Sequence, residues 1–366
     1  MVQLLLKYRA HSKACVAFAF IALWLIANAA SLCAASKGKA PDSVQVPRLD
    51  LEGGRQLLFE RAFSSQLEVE GKKKFWSRVI DVIAGEAEHH SMLSPYGVVT
   101  DSHGRVLVSD PGASGIHIFD FAQQKYKFAS RDKEDGGMLR PQCIAVDASD
   151  NIYATDSESG KIFVFDSSGK FNRVIGSSKH GEGYFKRPTG IAVDSQGKHI
   201  FVTDTLRNQV FVLDMDGTVL RKIGKNGKGD GEFNFPTELR INGDELIVVD
   251  AMNFRIQVLD LAGNFKYSIG NIGDGIGGIF RPKGVAIDSE GHLYIVDGMS
   301  GMVQVFDRTG QLLYYFGKKG TALGEFQLPA GIFIDREDRV YVVDSYNRRV
   351  QVFHYLAHRN IEGARQ

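Results

Sequence analysis

Aspartates recur at two fixed places along this 366-residue chain, and carboxylates at fixed spacing are the side chains that hold divalent ions or move protons. One set is Asp110, Asp156, Asp204, Asp250, Asp297 and Asp344; the other, one short apolar run earlier, is Asp101, Asp147, Asp194, Asp288 and Asp335. Metal or acid/base chemistry needs several of them to meet at one point. An aspartate that caps its own turn recurs because the turn recurs. Both sets therefore read as turn caps.

The other reactive types give no stronger signal. Gly224-Lys-Asn-Gly-Lys-Gly-Asp-Gly231 and Gly317-Lys-Lys-Gly320 have the composition of phosphate loops, but such a loop must open a helix, and these lead into apolar, strand-like runs. Zinc needs three or four convergent ligands. His103, His199 and His292 fall near turns of separate units, and His117 and His354 lie in or just after a later run. Cys143, in Pro141-Gln-Cys-Ile-Ala-Val-Asp147, alternates into an apolar run as a small buried thiol would. There is no Gly-x-Ser-x-Gly elbow, so no catalytic residue, metal or cofactor is assigned.

The elements that carry these residues repeat. Prolines at 95, 141, 188, 236, 282 and 329 are spaced by 46, 47, 48, 46 and 47 residues and mark six units between residues 93 and 355. A period of this length means that each unit must stack on its neighbours to bury its faces. One unit reads Arg-Pro-Thr-Gly-Ile-Ala-Val-Asp (187–194), His-Ile-Phe-Val-Thr-Asp (199–204), Gln-Val-Phe-Val-Leu-Asp (209–214) and Gly-Thr-Val-Leu-Arg-Lys-Ile-Gly (217–224). These are four short strands, a to d, joined by Asp- and Gly-containing hairpins. Strands a and b are apolar at nearly every position, so other sheets must cover both faces. Six four-stranded antiparallel blades in a ring, an all-β six-bladed β-propeller, meet that demand.

The sixth unit stops after strand c. Arg78-Val-Ile-Asp-Val-Ile-Ala-Gly85 matches the d strands Asn172–Gly176 and Lys266–Gly270, and is the segment expected to complete the last blade and close the ring. The expected organisation is thus a leader at 1–35, a linker and extension at 36–74, a propeller at 75–355 and a tail at 356–366. Within the extension, Arg55-Gln-Leu-Leu-Phe-Glu-Arg-Ala-Phe63 is apolar enough to pack on the ring.

The motif Pro-x-Gly-Ile/Val-Ala-Val-Asp, followed by Tyr-Val-Val-Asp-Ser-Tyr-Asn-Arg-Arg-Val-Gln-Val-Phe (341–353), resembles the NHL repeat, and all six units carry a version of it. The fit weakens in the fourth unit, where Glu238-Leu-Arg-Ile-Asn242 replaces the usual Gly and Asp. The resemblance, closest to exported bacterial six-bladed NHL proteins, implies a propeller used as a recognition platform. Some similar propellers are lyases or amidating enzymes with a metal held on the axis, which the histidine positions here do not match.

Composition narrows the partners. With 44 basic and 43 acidic residues the chain lacks the positive field that nucleic-acid binding draws on, so no nucleic acid is expected. Lys7, Arg9 and Lys13 precede the apolar stretch Ala14–Ala27 and small residues at Ala29 and Ala35, the layout of a secretory signal; uncleaved, it would be the chain's membrane anchor. The periplasm or cell envelope is the expected location. Cys15 and Cys33 lie in that leader and only Cys143 beyond it, so a core rather than a disulfide must hold the body together.

Variation on the repeated frame concentrates where strand a begins and strands b and c join. There the chain carries Tyr96, Gln142, Thr189, Thr237 and Lys283 after the prolines, Arg140, Arg187 and Arg281 before them, and Arg207, Asn208, Asn253, Arg255, Tyr346, Asn347 and Arg348 in the b–c loops. These are the candidate binding residues. The expected function is a monomeric, non-enzymatic scaffold recognising a protein or polymer in the envelope. The alternative is a metal-dependent lyase or hydrolase acting on a small cyclic peptide, lactone or sugar at the channel.

Overall fold

Strand b is fully buried in every blade: Val106–Asp110, Ile152–Asp156, His199–Asp204, Glu245–Asp250, Leu293–Asp297 and Arg339–Asp344, with only His199 and Arg339 half-exposed at their starts. Burial on both sides of a sheet is what the unbroken Val/Ile/Leu/Phe runs require. The computed structural model, which describes residues 47–70, 90–131, 136–176, 184–194, 196–273 and 275–357, meets it with six antiparallel sheets in a ring. In blades 1 to 5 the order is a-b-c-d, as in Pro188–Asp194, His199–Asp204, Gln209–Asp214 and Val219–Ile223 of blade 3. The innermost strands a contact one another in sequence around the axis.

The core is correspondingly divided. Six apolar clusters lie between successive blades, such as Ile191, Ile200, Val202 and Phe211 against Cys143, Tyr153 and Ile162 between blades 3 and 2. The outer strands d alternate half-exposed and exposed positions before a buried last residue, such as Ile223 or Ile269. Among the described residues no helix is long and apolar enough to cross a membrane.

The ring is closed by an N-terminal strand, as expected, but by a different one. Gln56–Phe63 pairs antiparallel with strand c of blade 6, Arg349–Leu356, from Gln56 opposite Leu356 to Phe63 opposite Val350. Arg48–Asp50 adds a fifth, outermost strand to the same sheet. The extension that sequence reading set outside the ring is therefore part of its sixth blade, and 78–85 lies outside the described residues. Leu57 is buried between blades 5 and 6 and Phe63 between blades 6 and 1, so the strand seals two interfaces at once. A bulge at Glu60 lets it stay in register, and Glu60 meets Arg339 and His354 of the same blade.

Candidate functional site

Antiparallel order puts the a–b and c–d turns at one end of the ring and the b–c loops with the d–a connections at the other. The first end is frame. Asp101, Asp147, Asp288 and Asp335 each accept the amide hydrogens of residues two and four further on, and Asp194 caps Gly197, so the second aspartate set consists of turn caps. Ser102 of blade 1 donates its amide and hydroxyl to Asp150 of blade 2, and Ser289 of blade 5 does the same to Asp338 of blade 6, tying neighbours together. Asp101, His103 and Asp150 come close enough to share a cation. Arg105 and the turn amides already hold Asp101, and Ser102 holds Asp150.

At the other end the strand-b aspartates are also structural. Each reaches back to the amides just before the proline that opens its own blade: Asp110 to Leu93 and Ser94, Asp156 to Leu139 and Arg140, Asp204 to Lys186 and Arg187, Asp250 to Asn234, Asp297 to Phe280 and Arg281, and Asp344 to Gln327. Burial raises the Asp297 carboxyl, but the hydrogen bonds from Arg281, Phe280, Ser300 and Met299 outweigh it and hold it below its usual range. Five candidate binding residues belong to this frame, Asn208 among them, whose Oδ1 accepts the Phe235 amide at 2.8 Å. Arg207 pairs with Asp204 at 2.8 Å; Arg255 pairs with Asp250 at 2.9 Å and donates to the Gly229 and Glu232 carbonyls; Asn253 and Asn347 bridge Asp250 and Asp344 to the Gly227 and Gly320 carbonyls. In blade 6 the paired arginine is Arg349, while Arg348 occupies the left-handed position at φ 56° that Asn208 holds in blade 3.

This network also explains the glycine loops. Gln257 receives Gly231 N–H and donates to Glu232 O and Asp250, and Gln351 makes the same set with Gly324, Glu325 and Asp344. Each loop, leaving strand d of one blade, is thereby pinned to the next blade by a side chain from that blade's strand c. His117 takes the place of this glutamine in blade 1, fully buried between Asp110 at 3.2 Å and the Tyr126 hydroxyl at 2.8 Å.

What remains free on this face is basic and apolar. Arg140, Arg187, Arg281 and Arg348 are exposed, and their side chains meet no hydrogen-bond or ion-pair partner among the described residues. Around them runs a belt that sequence reading missed except for Tyr346. Leu206, Met252, Met299 and Tyr346 are exposed by 41–64% at equivalent positions of four b–c loops. Leu93, Phe235, Phe280 and Leu328 are exposed by 40–50% just before the prolines. Most exposed large apolar side chains among the described residues lie at this end. The repeat made the signal available: the second residue after each strand-b aspartate is apolar in four blades.

Toward the axis, Tyr96, Gln142, Thr237 and Lys283 are half-buried, whereas Thr189 is buried and spends its hydroxyl on Thr203 and Thr205. In blades 1, 3, 5 and 6 the next residue is a glycine that lets adjacent blades approach: a Cβ on Gly190 would stand 2.7 Å from Glu238 Cα, and one on Gly331 2.5 Å from the Tyr96 carbonyl oxygen. Glu238 and Cys143 are the two departures from glycine at that position. Glu238 is 2% exposed; one carboxylate oxygen meets Arg240 at 2.5 Å and the other, though buried, has no hydrogen-bond partner. Arg240 continues to the carbonyls of Val285 and Ile332, bracing blades 4, 5 and 6. Burial raises the Cys143 thiol well above its ordinary value, so it stays protonated, as a core thiol does.

Burial also pushes the Glu238 carboxyl up to about 7, against the pull of Arg240. A carboxyl whose folded pKa exceeds its unfolded value of 4.5 contributes stability that is complete below pH 4.5 and lost as pH rises through about 7. Glu238→Gln should match the wild type in urea at pH 4 and exceed it at pH 8 by on the order of 3 kcal/mol. Equal pH dependence of the two unfolding midpoints would remove Glu238 as the source.

A ring of six antiparallel blades, five of four strands and the last of five, around an axis lined by the starts of strands a defines a six-bladed β-propeller. The chain belongs to the family described as 6-bladed beta-propeller, DUF5128, whose model matches residues 142–200, 193–270 and 289–357. Over 107 residues it is 28% identical to Protein brain tumor of Drosophila melanogaster, 28% of this chain and 10% of that protein. The chain thus spans about a tenth of that relative. Similar solved folds include an auxiliary nutrient binding protein from Bacteroides thetaiotaomicron (14% identity, TM-score 0.57, 72% of this chain and 69% of that one). Virginiamycin B lyase from Staphylococcus aureus (16%, 0.52, 72% and 95%) and a chain of a nidogen/laminin complex (20%, 0.53, 67% and 88%) are similar too. At these identities the likeness is one of fold.

Proposed function

We propose that this chain is an exported binding protein that offers the b–c face of its propeller to a protein partner in the cell envelope. The observation that carries the reading is the belt of exposed Leu, Met, Phe and Tyr at one end of the ring, at loop tips the frame does not require to be apolar. An exposed patch of that kind rimmed by polar groups marks an interaction surface. The unpaired arginines among it, Arg140, Arg187, Arg281 and Arg348, give planar multi-donor contacts and favour an apolar partner surface edged with acidic groups. The resemblance of the repeats to the NHL repeat, and the leader's secretory layout, support the same reading from the sequence.

The test is in-cell crosslinking followed by mass spectrometry, comparing the wild type with Tyr346→Asp and Leu328→Asp on this face and Leu220→Asp on an outer strand. A specific adduct should fall at least tenfold in the first two variants and persist in the third. A crosslink pattern indifferent to all three would rule out this face. Recovery of the protein from the cytoplasm with its leader intact would rule out export.

A further inference from the structure

The backbone amide directly before the proline is tied to the strand-b aspartate whether the residue is Ser94 in blade 1 or an arginine in blades 2, 3 and 5. In blades 4 and 6 Phe235 and Leu328 occupy the place of Arg187 and Arg281, and the aspartate is reached from Asn234 and Gln327 instead. The frame therefore asks nothing of those two guanidinium groups. The same holds for Lys283, whose counterparts are Tyr96, Gln142, Thr189, Thr237 and Ala330. Its stem lies across the backbone of Gly298, close enough that a Cβ there would meet Lys283 Cγ at 3.0 Å. Every other arginine fixed in this frame, Arg207, Arg255 and Arg349, is neutralised by a buried aspartate. Arg187, Arg281 and Lys283 have no acidic partner among the described residues.

These three cations stand at the axial starts of strand a in blades 3 and 5, on either side of strand a of blade 4. Burial lowers the Lys283 pKa first, and the charges of Arg281 and Arg187 lower it further; the same two charges act on the Tyr96 phenol across the axis in blade 1. Burial keeps that phenol protonated, a neutral O–H donor. In blade 4, between the two cationic blades, the Thr237 hydroxyl is buried without a hydrogen-bond partner. Like charges held together and a buried unsatisfied hydroxyl each cost free energy that nothing in the fold recovers. A ligand carrying negative charge and several acceptor oxygens would satisfy all of them at once.

We propose that the axial mouth of the b–c face is a binding site for a multiply charged oxyanion, with Arg187, Arg281 and Lys283 as its charged donors and the Tyr96 and Thr237 hydroxyls beside them. The site holds whether or not the surrounding apolar belt meets a protein. Glu238, one residue further along its strand, also acts on the Tyr96 phenol, and its charge is countered by its ion pair with Arg240. Carboxylates and phosphates share the required chemistry.

Calorimetric titration of the purified chain with citrate and with inorganic phosphate, at ionic strength fixed with chloride, distinguishes these two sources. One anion per chain should bind to the wild type, and at least tenfold more weakly to Arg187→Met, Arg281→Met and Lys283→Met. Arg336→Met, an exposed arginine at the opposite end of the ring, should bind as the wild type does. Tighter citrate identifies a carboxylate ligand, tighter phosphate a phosphorylated one. Neither anion binding above the chloride background, or equal binding by the three variants, overturns the site. Should Lys283→Met melt early, the two exposed arginine variants decide.

Discussion

A chain lacking residues 47–63 should not form a stable monomeric ring. The missing segment supplies seven paired positions to strand c of blade 6, from Gln56 to Phe63, and without it the Arg349–Leu356 strand becomes an open sheet edge. It also removes Leu57 and Phe63, each 2% exposed, from the apolar clusters on either side of that blade. Truncating one such side chain costs about 3 kcal/mol. Two together with a lost ladder approach the whole stability of a folded protein, roughly 5–15 kcal/mol. Size-exclusion chromatography should show aggregated or strand-exchanged species, and urea titration a broad, early transition. Leu57→Ala and Phe63→Ala should each lower the unfolding free energy by about 3 kcal/mol without changing oligomeric state. A truncated protein that stays monomeric with an unchanged midpoint would refute closure by this strand. Deletion of 78–85 is the comparison: it touches none of the paired positions.

Asp344→Ala should be among the most damaging single substitutions at the b–c end of the ring, although it contacts no ligand in the reading proposed above. Its fully buried carboxylate collects the Gln327 amide at 2.7 Å, Asn347 at 2.8 Å, Arg349 at 2.7 Å and Gln351 at 3.1 Å. Through these it joins the d–a connection, the b–c loop and strand c of one blade. Alanine would leave a guanidinium mostly shielded from water without its counter-charge, a change that costs about 3–5 kcal/mol when one partner of a buried pair is removed. Hydrogen exchange should accelerate at Gln327 and along 320–326, while the a–b turns of blade 6 stay protected. Asp166→Ala, which loses only a cap on a largely exposed c–d turn, should cost about 1 kcal/mol or less. Similar losses for the two aspartates would mean that the Asp344 network is not cooperative.

The ring itself was legible because it is written six times: proline spacing, four apolar runs per period and turn residues at constant offsets. The identity of the closing strand was not. Strands d alternate along their length before a buried Ile, and 78–85 copies that pattern. Gln56–Phe63 does not, because the bulge at Glu60 shifts its alternation by one residue halfway along. A period-two search breaks at such a point. At the candidate site the sequence could not separate tied from free arginines. Arg207 and Arg255 stand at different offsets from their aspartates, three residues and five, yet both reach them, while Arg348, four residues past Asp344, points elsewhere. The difference comes from the left-handed turn of the loop, which sends alternate side chains to opposite sides. The apolar belt was visible letter by letter, but which loop tips stay exposed depends on how far each d–a connection covers them.

The seam of blade 6 also sets a clock for biosynthesis. Its two strands, Gln56–Phe63 and Arg349–Leu356, are made roughly 290 residues apart. At translation rates of about 5–20 residues per second, the first waits for its partner for roughly 15–60 s. Throughout that interval an amphipathic segment with unpaired amides is available to any neighbouring nascent chain, so yield should depend on ribosome spacing and on whatever shields that early segment.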